Sequence, residues 1–195
     1  PLQVAVKVGN LTIAQYLIDK GADVNYMEPD NGLSALGCYR CPVLIDAIKG
    51  LFFMWEEKRE DYMQLIWRLL ELGANPNKTD NRGNNSWDVA VNMYGDFIKT
   101  IKETKNQKIF TEMTKELLDV LMKYNIDILN LDRITKDLSL FKSYSLFLQN
   151  LILNRDGLFG CDEKEIENWN ERWSLIASVI KPYYEKNNPY YQNMG

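Results

Sequence analysis

Apolar residues along this chain recur at helical spacing in a series of amphipathic stretches. In residues 109–124 the apolar side chains lie three or four positions apart, which places them on one face of a helix. They are Ile109, Met113, Leu117, Val120, Leu121 and Tyr124. The same pattern predicts helices over residues 2–8, 12–20, 43–56, 61–72, 86–103 and 109–124, with a bend at 105–107, and further helices over 138–154 and 163–184. Thr12 is the expected N-cap of the second helix. The pattern therefore predicts an all-α protein.

Three of these helices end at a recurring motif. It reads Gly21-Ala22-Asp23-Val24-Asn25 in the first copy, Gly73-Ala74-Asn75-Pro76-Asn77 in the second and, more weakly, Asn125-Ile126-Asp127-Ile128 in the third. Glycine, and after it asparagine, readily adopts the left-handed conformation that ends a helix. An internal repeat of helix pairs predicts a stack, because a single pair cannot bury its own apolar face.

The starts of the three units also share residues. Pro1-Leu2 and Val4-Ala5 begin the first unit, residues 43–48 the second and residues 86–91 the third, and Asp80-Asn81-Arg82-Gly83 has the sequence of a hairpin tip. In these motifs the chain resembles ankyrin repeats, whose units of about 33 residues contain a β-turn and two antiparallel helices. The resemblance implies an ankyrin-repeat solenoid over residues 1–132, with units at about 1–42, 43–82 and 83–132.

The chain departs from the family pattern in two ways. It contains no histidine, so the family's histidine position holds Gln3, Ile45 or Asp88, and we expect the usual hydroxyl–imidazole bonding there to be missing or replaced. The connection at 50–61 and the helix pair at 88–123 are also over-long. Because these extensions belong to neighbouring units, we expect them to pack on each other and to bury Phe52, Phe53, Trp55, Phe97 and Phe110. The alternative is that residues 51–55 form an exposed partner site.

Residues 133–195 no longer follow the repeat. Because a solenoid end exposes an apolar face, we expect a degenerate repeat, a C-terminal capping helix and a tail that cover the third unit. The alternative is an independent helical module. In the tail, residues 188–191 match an N-P-x-Y turn motif of the kind that phosphotyrosine-binding-type domains read, and the other interpretation is a tyrosine-rich end that packs back on the cap.

The composition limits the classes of partner and the compartment that we expect for this chain. The formal net charge is −4, and the Lys and Arg residues are scattered, so we expect no nucleic-acid partner. No apolar run approaches the ~20 residues of a membrane span. Three cysteines, an odd number, favour a reducing, cytoplasmic compartment over a disulfide framework. Cys38 and Cys41 have C-x-x-C spacing, but zinc would need two more ligands and only Cys161 remains, so we expect no metal site.

Catalytic motifs are absent from the sequence. Without histidine there is no Ser-His-Asp or Cys-His arrangement, and neither of the common glycine-rich phosphate-binding motifs occurs. We therefore predict a protein that is not an enzyme and needs no cofactor.

The resemblance implies instead a monomeric, non-enzymatic scaffold that binds another protein through the concave ankyrin surface. Carried over position by position, that surface contains Gln3, Lys7, Ile45, Lys49, Lys78, Thr79, Asn81, Arg82, Asp88 and Asn92. Insertion-bearing ankyrins occur in intracellular bacteria and large viruses, so a secreted effector that acts on a host protein is one form of this hypothesis. The alternative is a targeting arm of a larger enzyme or toxin whose catalytic domain lies outside this chain, since the chain begins inside its first unit.

Overall fold

Six helices form three helix–turn–helix pairs. The computed structural model describes residues 1–27 and 40–127 and, in a further helical segment, residues 137, 139, 140, 142–144, 146 and 147. The helices are α1 (Leu2–Lys7), α2 (Leu11–Asp19), α3 (Val43–Phe53), α4 (Trp55–Glu71), α5 (Ser86–Phe97) and α6 (Thr104–Lys123). No strand occurs in this described part of the chain. The all-α prediction is confirmed.

The pairs stack in two layers. Helix α3 lies between α1 and α5, and α4 lies between α2 and α6. The small residues Ala5, Ala47 and Ala90 are all buried, which lets the first helices of neighbouring units approach closely. A single apolar core runs through all three units, from Leu2 to Leu121. Stacking therefore buries the apolar face that no pair could bury alone, as expected for a repeat solenoid.

The helix ends follow the predicted cap chemistry, with one correction. Gly21, Gly73 and Asn125 all have left-handed backbone, with φ of 81°, 88° and 57°. The N-cap of α2 is Asn10 rather than Thr12, because the Asn10 side chain accepts a hydrogen bond from the Ile13 backbone N–H at 3.1 Å. Asparagine is a stronger N-cap than threonine.

Four predicted helix boundaries were wrong. Helix α3 ends at Phe53 and not at 56, and helix α6 begins at Thr104 and not at 109. Helix α4 begins at Trp55 and not near residue 61, and it is kinked at Lys58, whose φ of −131° and ψ of 22° are not helical. Glu56 and Glu57 lie in the first turn before this kink, where acidic side chains interact favourably with the helix dipole. Helix α5 ends at Phe97 and not at 103. There Ile98 and Ile101 turn towards the core, and the Thr100 hydroxyl donates to the Phe97 carbonyl at 2.7 Å. The bend expected at 105–107 therefore comes earlier, at 98–103.

The extensions of the second and third units pack on each other, as predicted. Phe110 of α6 is fully buried and meets Phe52, Trp55 and Phe97, with ring centroids 5.4, 5.4 and 6.3 Å apart. Phe53 contacts Phe97 at 5.5 Å but remains 64% exposed. Residues 51–55 are thus mainly core, with one aromatic side chain left at the surface.

Helical residues beyond the third unit cover the outer side of α5. Tyr144 and Phe147 are buried, and their rings lie 6.3 and 5.4 Å from that of Trp87. Phe147 also contacts Tyr94 at 5.0 Å. The predictions for residues 148–195, including the helix at 163–184, the tail motif and Cys161, lie outside the described residues, as does Cys38.

Candidate partner-binding face

An asparagine ladder joins the exits of the three units. The Asn25 side chain donates to the Gly73 carbonyl at 2.8 Å and accepts from the Asn75 backbone N–H at 2.9 Å. One unit further on, Asn77 donates to the Asn125 carbonyl at 2.8 Å and accepts from the Asp127 N–H at 2.6 Å. The repeated pair of bonds holds the exits in one line.

The hairpin tip between the second and third units is fixed by a buried carboxylate. Asp80 accepts from the backbone N–H groups of Arg82 and Asn84 at 2.8 and 2.9 Å. The Asn81 N–H donates to the Arg40 carbonyl at 3.0 Å, which ties the tip to the residues just before α3. Asn81 and Arg82 are therefore exposed on an ordered turn, and Gly83 closes it with φ of 84°.

Asp88 was predicted as a contact residue, but it is buried. It forms a capping box with Asn85: the Asn85 N–H donates to Asp88 Oδ2 at 3.0 Å, and the Asp88 N–H donates to Asn85 Oδ1 at 3.0 Å. Asn85 also donates to the Asp127 carbonyl at 2.7 Å. This reciprocal bonding replaces the hydroxyl–imidazole pair of the family pattern and satisfies the N-terminus of α5.

Gln3 and Ile45 are also buried, so they leave the predicted contact surface. The Gln3 amide donates to the Cys41 carbonyl and to Asp46 Oδ2, both at 2.7 Å, and so links the first unit to the second. Ile45 packs with Cys41 and Val89 in a small apolar cluster between α3 and α5. Sequence periodicity could not show that Gln3 and Ile45 are buried, because the residues that cover them belong to neighbouring units.

A buried polar cluster lies beneath the first helices. Asp46 accepts from Gln3 and from the Cys41 thiol, whose sulfur lies 2.9 Å from Oδ1, and Lys7 Nζ lies 3.7 Å from Oδ2. Burial raises the pKa of Asp46, against the hydrogen bonds from Cys41 and Gln3 and the charges of Lys7 and Lys49, which lower it. Burial, with Asp46 beside it, raises the pKa of Cys41 to about 12. The thiol is therefore protonated and unreactive at neutral pH.

The remaining predicted residues are all at least partly exposed, and we call this set the front face. Together with Arg40, which the sequence did not point to, it consists of Lys7, Lys49, Lys78, Thr79, Asn81, Arg82 and Asn92. Lys7, Asn81 and Arg82 are exposed and the others are half-buried. Lys78 Nζ donates to the Asn25 carbonyl at 2.5 Å, so the hairpin and the first exit support each other. The face offers amide, hydroxyl and cationic groups on a rigid frame.

The described residues include no cluster of three or more Cys, Asp or Glu side chains that could hold a metal ion. No helix in the described part of the chain is both long and apolar enough to span a bilayer.

Comparison with known proteins identifies one unit. A family model, described as the ankyrin repeat, matches residues 1–28, which contain α1, α2 and the first exit. Searches of curated proteins and of solved structures gave no match. Ankyrin repeats are non-catalytic modules of protein–protein interaction. The first helix pair is therefore an ankyrin repeat, and two further helix pairs stack on it in an all-α repeat.

Proposed function

We propose that the chain is a non-enzymatic scaffold that binds a partner protein through the front face, in a reducing compartment. The observation that carries this proposal is the front face itself. Seven residues chosen from the repeat pattern belong to it and are at least partly exposed, and the asparagine ladder and the Asp80 turn hold the exits and the hairpin tip in place. A preordered frame favours binding, because little conformational entropy is lost when a partner docks.

Arg82 is the residue expected to contribute most. It is exposed on a turn whose backbone is fixed by Asp80, and arginine is among the residue types that dominate binding energy at interfaces. Its neighbour Asn81 is exposed beside it and can donate and accept hydrogen bonds.

Site-specific photo-crosslinking tests the proposal. A benzophenone amino acid is placed at Thr79 or Asn81, on the front face, and at Gln64, which is exposed on α4. We expect both front-face positions to give the same protein adduct from cell extract, and Gln64 to give none. The adduct is identified by mass spectrometry and its affinity is then measured with purified protein.

The affinity measurement uses the double variant Asn81→Ala, Arg82→Ala. Loss of a hot-spot arginine costs about 2 kcal/mol, so we expect binding to weaken roughly thirtyfold. An unchanged melting temperature shows that the variant is folded. Adducts from Gln64 alone, or an unchanged affinity, would remove the front face as the binding site.

We also propose that residues 133–195 close the stack. The support is the burial of Leu140, Tyr144 and Phe147 and the contact of Tyr144 and Phe147 with Trp87. Limited proteolysis tests this role. If residues 133–195 form a cap, we expect the protease to degrade them together with the rest of the chain. Release of a stable fragment that begins near residue 133 would show an independent module.

A further inference from the structure

Four large apolar side chains are exposed on the outer side of the first helix pair. They are Val4, Val8, Ile13 and Tyr16, which are 56%, 71%, 48% and 60% exposed. The two valines lie one turn apart, on α1 and at its C-cap, and the other two lie one turn apart on α2, so each couple shares a side of its helix. We call these four residues the end face, because α1 and α2 form one end of the described stack.

The end face occupies positions through which later units contact the unit before them. When the units are aligned on the buried alanine of each first helix, Val4 corresponds to Asp46 in the second unit and to Val89 in the third. Asp46 accepts from Gln3 of the first unit, and Val89 packs with Ile45 of the second. The position of Val4 is therefore a contact position at both boundaries inside the stack.

The second helices show the same correspondence when they are aligned on their left-handed exit residues. Tyr16 then corresponds to Arg68, whose Nη2 lies 4.0 Å from Oδ1 of Asp19 in the first unit. The other equivalents of Ile13 and Tyr16 in the second and third units are all buried: Leu65, Leu117 and Val120. The first unit thus exposes apolar side chains at positions that the later units use for contact or bury.

The exit of the first unit carries a matching pair of backbone groups. In the second unit, the Asn25 amide holds the carbonyl of Gly73 and the N–H of Asn75, and the same bonds recur one unit further on. The corresponding groups of the first unit are the Gly21 carbonyl and the Asp23 N–H, which make no hydrogen bond to any described residue. A primary amide can donate to the first group and accept from the second.

We propose that the end face docks a helix pair of this same repeat type, whose exit carries an asparagine. The occupant packs its two helices over the four apolar side chains, and its asparagine holds the Gly21 carbonyl and the Asp23 N–H. Both kinds of contact already exist inside the stack, so the end face continues an interface that the molecule uses twice. The end face is separate from the front face, and this inference goes beyond the proposed function and does not depend on it.

A second copy of this chain fits the end face less well than such a helix pair. In the described part of the chain, the outer side of the third unit is covered, because Tyr144 and Phe147 pack on Trp87. The sequence of the third unit also has Leu129 where the first two units have the ladder asparagine. The third unit of another molecule therefore offers neither an open apolar side nor an amide.

A chain with one added unit tests the proposal. A duplicate of residues 43–85 is joined to Pro1, which then follows Asn85 of the duplicate as Ser86 does in the natural sequence. The second unit is the one duplicated, because the unit that follows it has apolar residues at all four positions of the end face. These residues are Val89, Met93, Leu117 and Val120.

Thiol labelling shows whether the end face is covered. Val8→Cys is introduced in a Cys38→Ser, Cys161→Ser background, in which Cys41 is buried, and alkylation by iodoacetamide is followed by mass spectrometry. We expect the added unit to slow labelling about thirtyfold or more, because the thiol then reacts only when the added unit opens. Gln64→Cys, at an exposed position of α4, is the matched control and should label equally fast with and without the added unit.

Substitutions within the added unit test the amide. Asn77→Ala in the duplicate removes the side chain that would hold the first exit, so we expect Val8→Cys to label about tenfold faster than with the asparagine in place. Asn75→Ala in the duplicate is the matched control, because that side chain accepts from the Asn77 N–H within its own turn. We expect it to change the labelling rate less than about threefold.

Three results would overturn the proposal. If Val8→Cys labels equally fast with and without the added unit, the end face is not a docking site for such a pair. If Asn77→Ala in the duplicate changes nothing, the exit groups are not an amide site. We expect the unmodified chain to sediment as a monomer, and self-association that Val4→Glu abolishes would make a second copy the occupant. The tests of the front face use other residues, so either proposal can fail alone.

Discussion

The two ends of the helix pairs are held together by different chemistry. At the exit end, where second helices finish and first helices begin, the contacts between units are polar: they are the asparagine ladder and the hydrogen bond and ion pair that Gln3 and Lys7 make with Asp46. At the turn end of the second and third units, the contacts are aromatic and centre on Phe110. The exit end repeats from unit to unit, and the aromatic cluster occurs where the two extended units meet.

This difference shows how the repeat tolerates unequal lengths. The ladder bonds involve residues that lie within six positions after the end of each second helix, so they do not depend on how long the preceding helices are. Extra residues are absorbed at the turn end, where apolar burial has no directional requirement. The exit end therefore sets how neighbouring units align. The turn end adds much of the apolar burial that stabilises the longer units.

The aromatic end should give the largest stability effect. Phe110→Ala removes a fully buried ring that contacts Phe52, Trp55, Tyr94 and Phe97, so we expect a loss of about 3–5 kcal/mol in the free energy of unfolding. Denaturant unfolding followed by circular dichroism measures it.

Phe53→Ala is the matched control for that substitution. Phe53 is the same residue type, but it is 64% exposed and, in the described part of the chain, its ring contacts that of Phe97 alone, so we expect a loss below about 1 kcal/mol. Equal losses in the two variants would contradict a buried aromatic centre at Phe110.

The ladder should give a smaller effect. Asn77→Ala removes one donated and one accepted hydrogen bond between units, which are worth about 1–2 kcal/mol together. Asn75→Ala is the control in the same exit, because its side chain accepts a hydrogen bond from the Asn77 N–H within its own turn and, among the described residues, makes none to another unit. If Asn75→Ala cost as much as Asn77→Ala, local turn chemistry and not the link between units would explain the loss.

Asp46 adds a pH dependence to the exit end. Burial raises its folded-state pKa above the usual 3.8, so the buried carboxylate costs stability above the folded-state pKa, and this cost disappears as the pH falls towards 3.8. We expect the stability of the wild type, relative to Asp46→Asn, to increase as the pH is lowered through that interval. Chemical unfolding of both proteins across the acidic range measures the difference. The opposite slope would mean that Lys7 and Lys49 outweigh burial.

We expect the Cys41 thiol not to react with alkylating reagents in the folded chain. With a pKa of about 12, about one thiol in ten thousand is ionised at pH 8, and the side chain is buried. In a Cys38→Ser, Cys161→Ser background, iodoacetamide should modify Cys41 only after denaturation, as read by mass spectrometry. Rapid alkylation under native conditions would show that the exit end opens locally.

Sequence reasoning found what depends on local chemistry. The left-handed caps at Gly21, Gly73 and Asn125 were predicted, because few residues adopt positive φ easily. The packing of Phe52 and Trp55 against Phe110 was also predicted, because apolar residues in adjacent extensions have nowhere else to bury. In both cases the residue type itself carries the information.

The sequence did not reveal contacts that a neighbouring unit supplies. Gln3 bonds with Asp46, 43 positions away, and this pairing decides that Gln3 is buried and not exposed. Asn25 and Asn77 were read only as parts of the exit motif, although their side chains form the ladder. The end of α5 was misplaced for a similar reason, since Ile98 and Ile101 leave the helix to reach a core that other units build.

The asparagine ladder also determines at which positions the repeat units of this chain can be separated and joined to other units. Each amide is carried by one helix pair, while both backbone groups that it holds are carried by the pair that follows. A junction placed directly after Gly21 or Gly73 would separate the amide from the helices that aim it. Junctions placed after Asn25 or Asn77 keep the asparagine with the helix pair that precedes it. These are the boundaries at which helix pairs can be exchanged, added or removed.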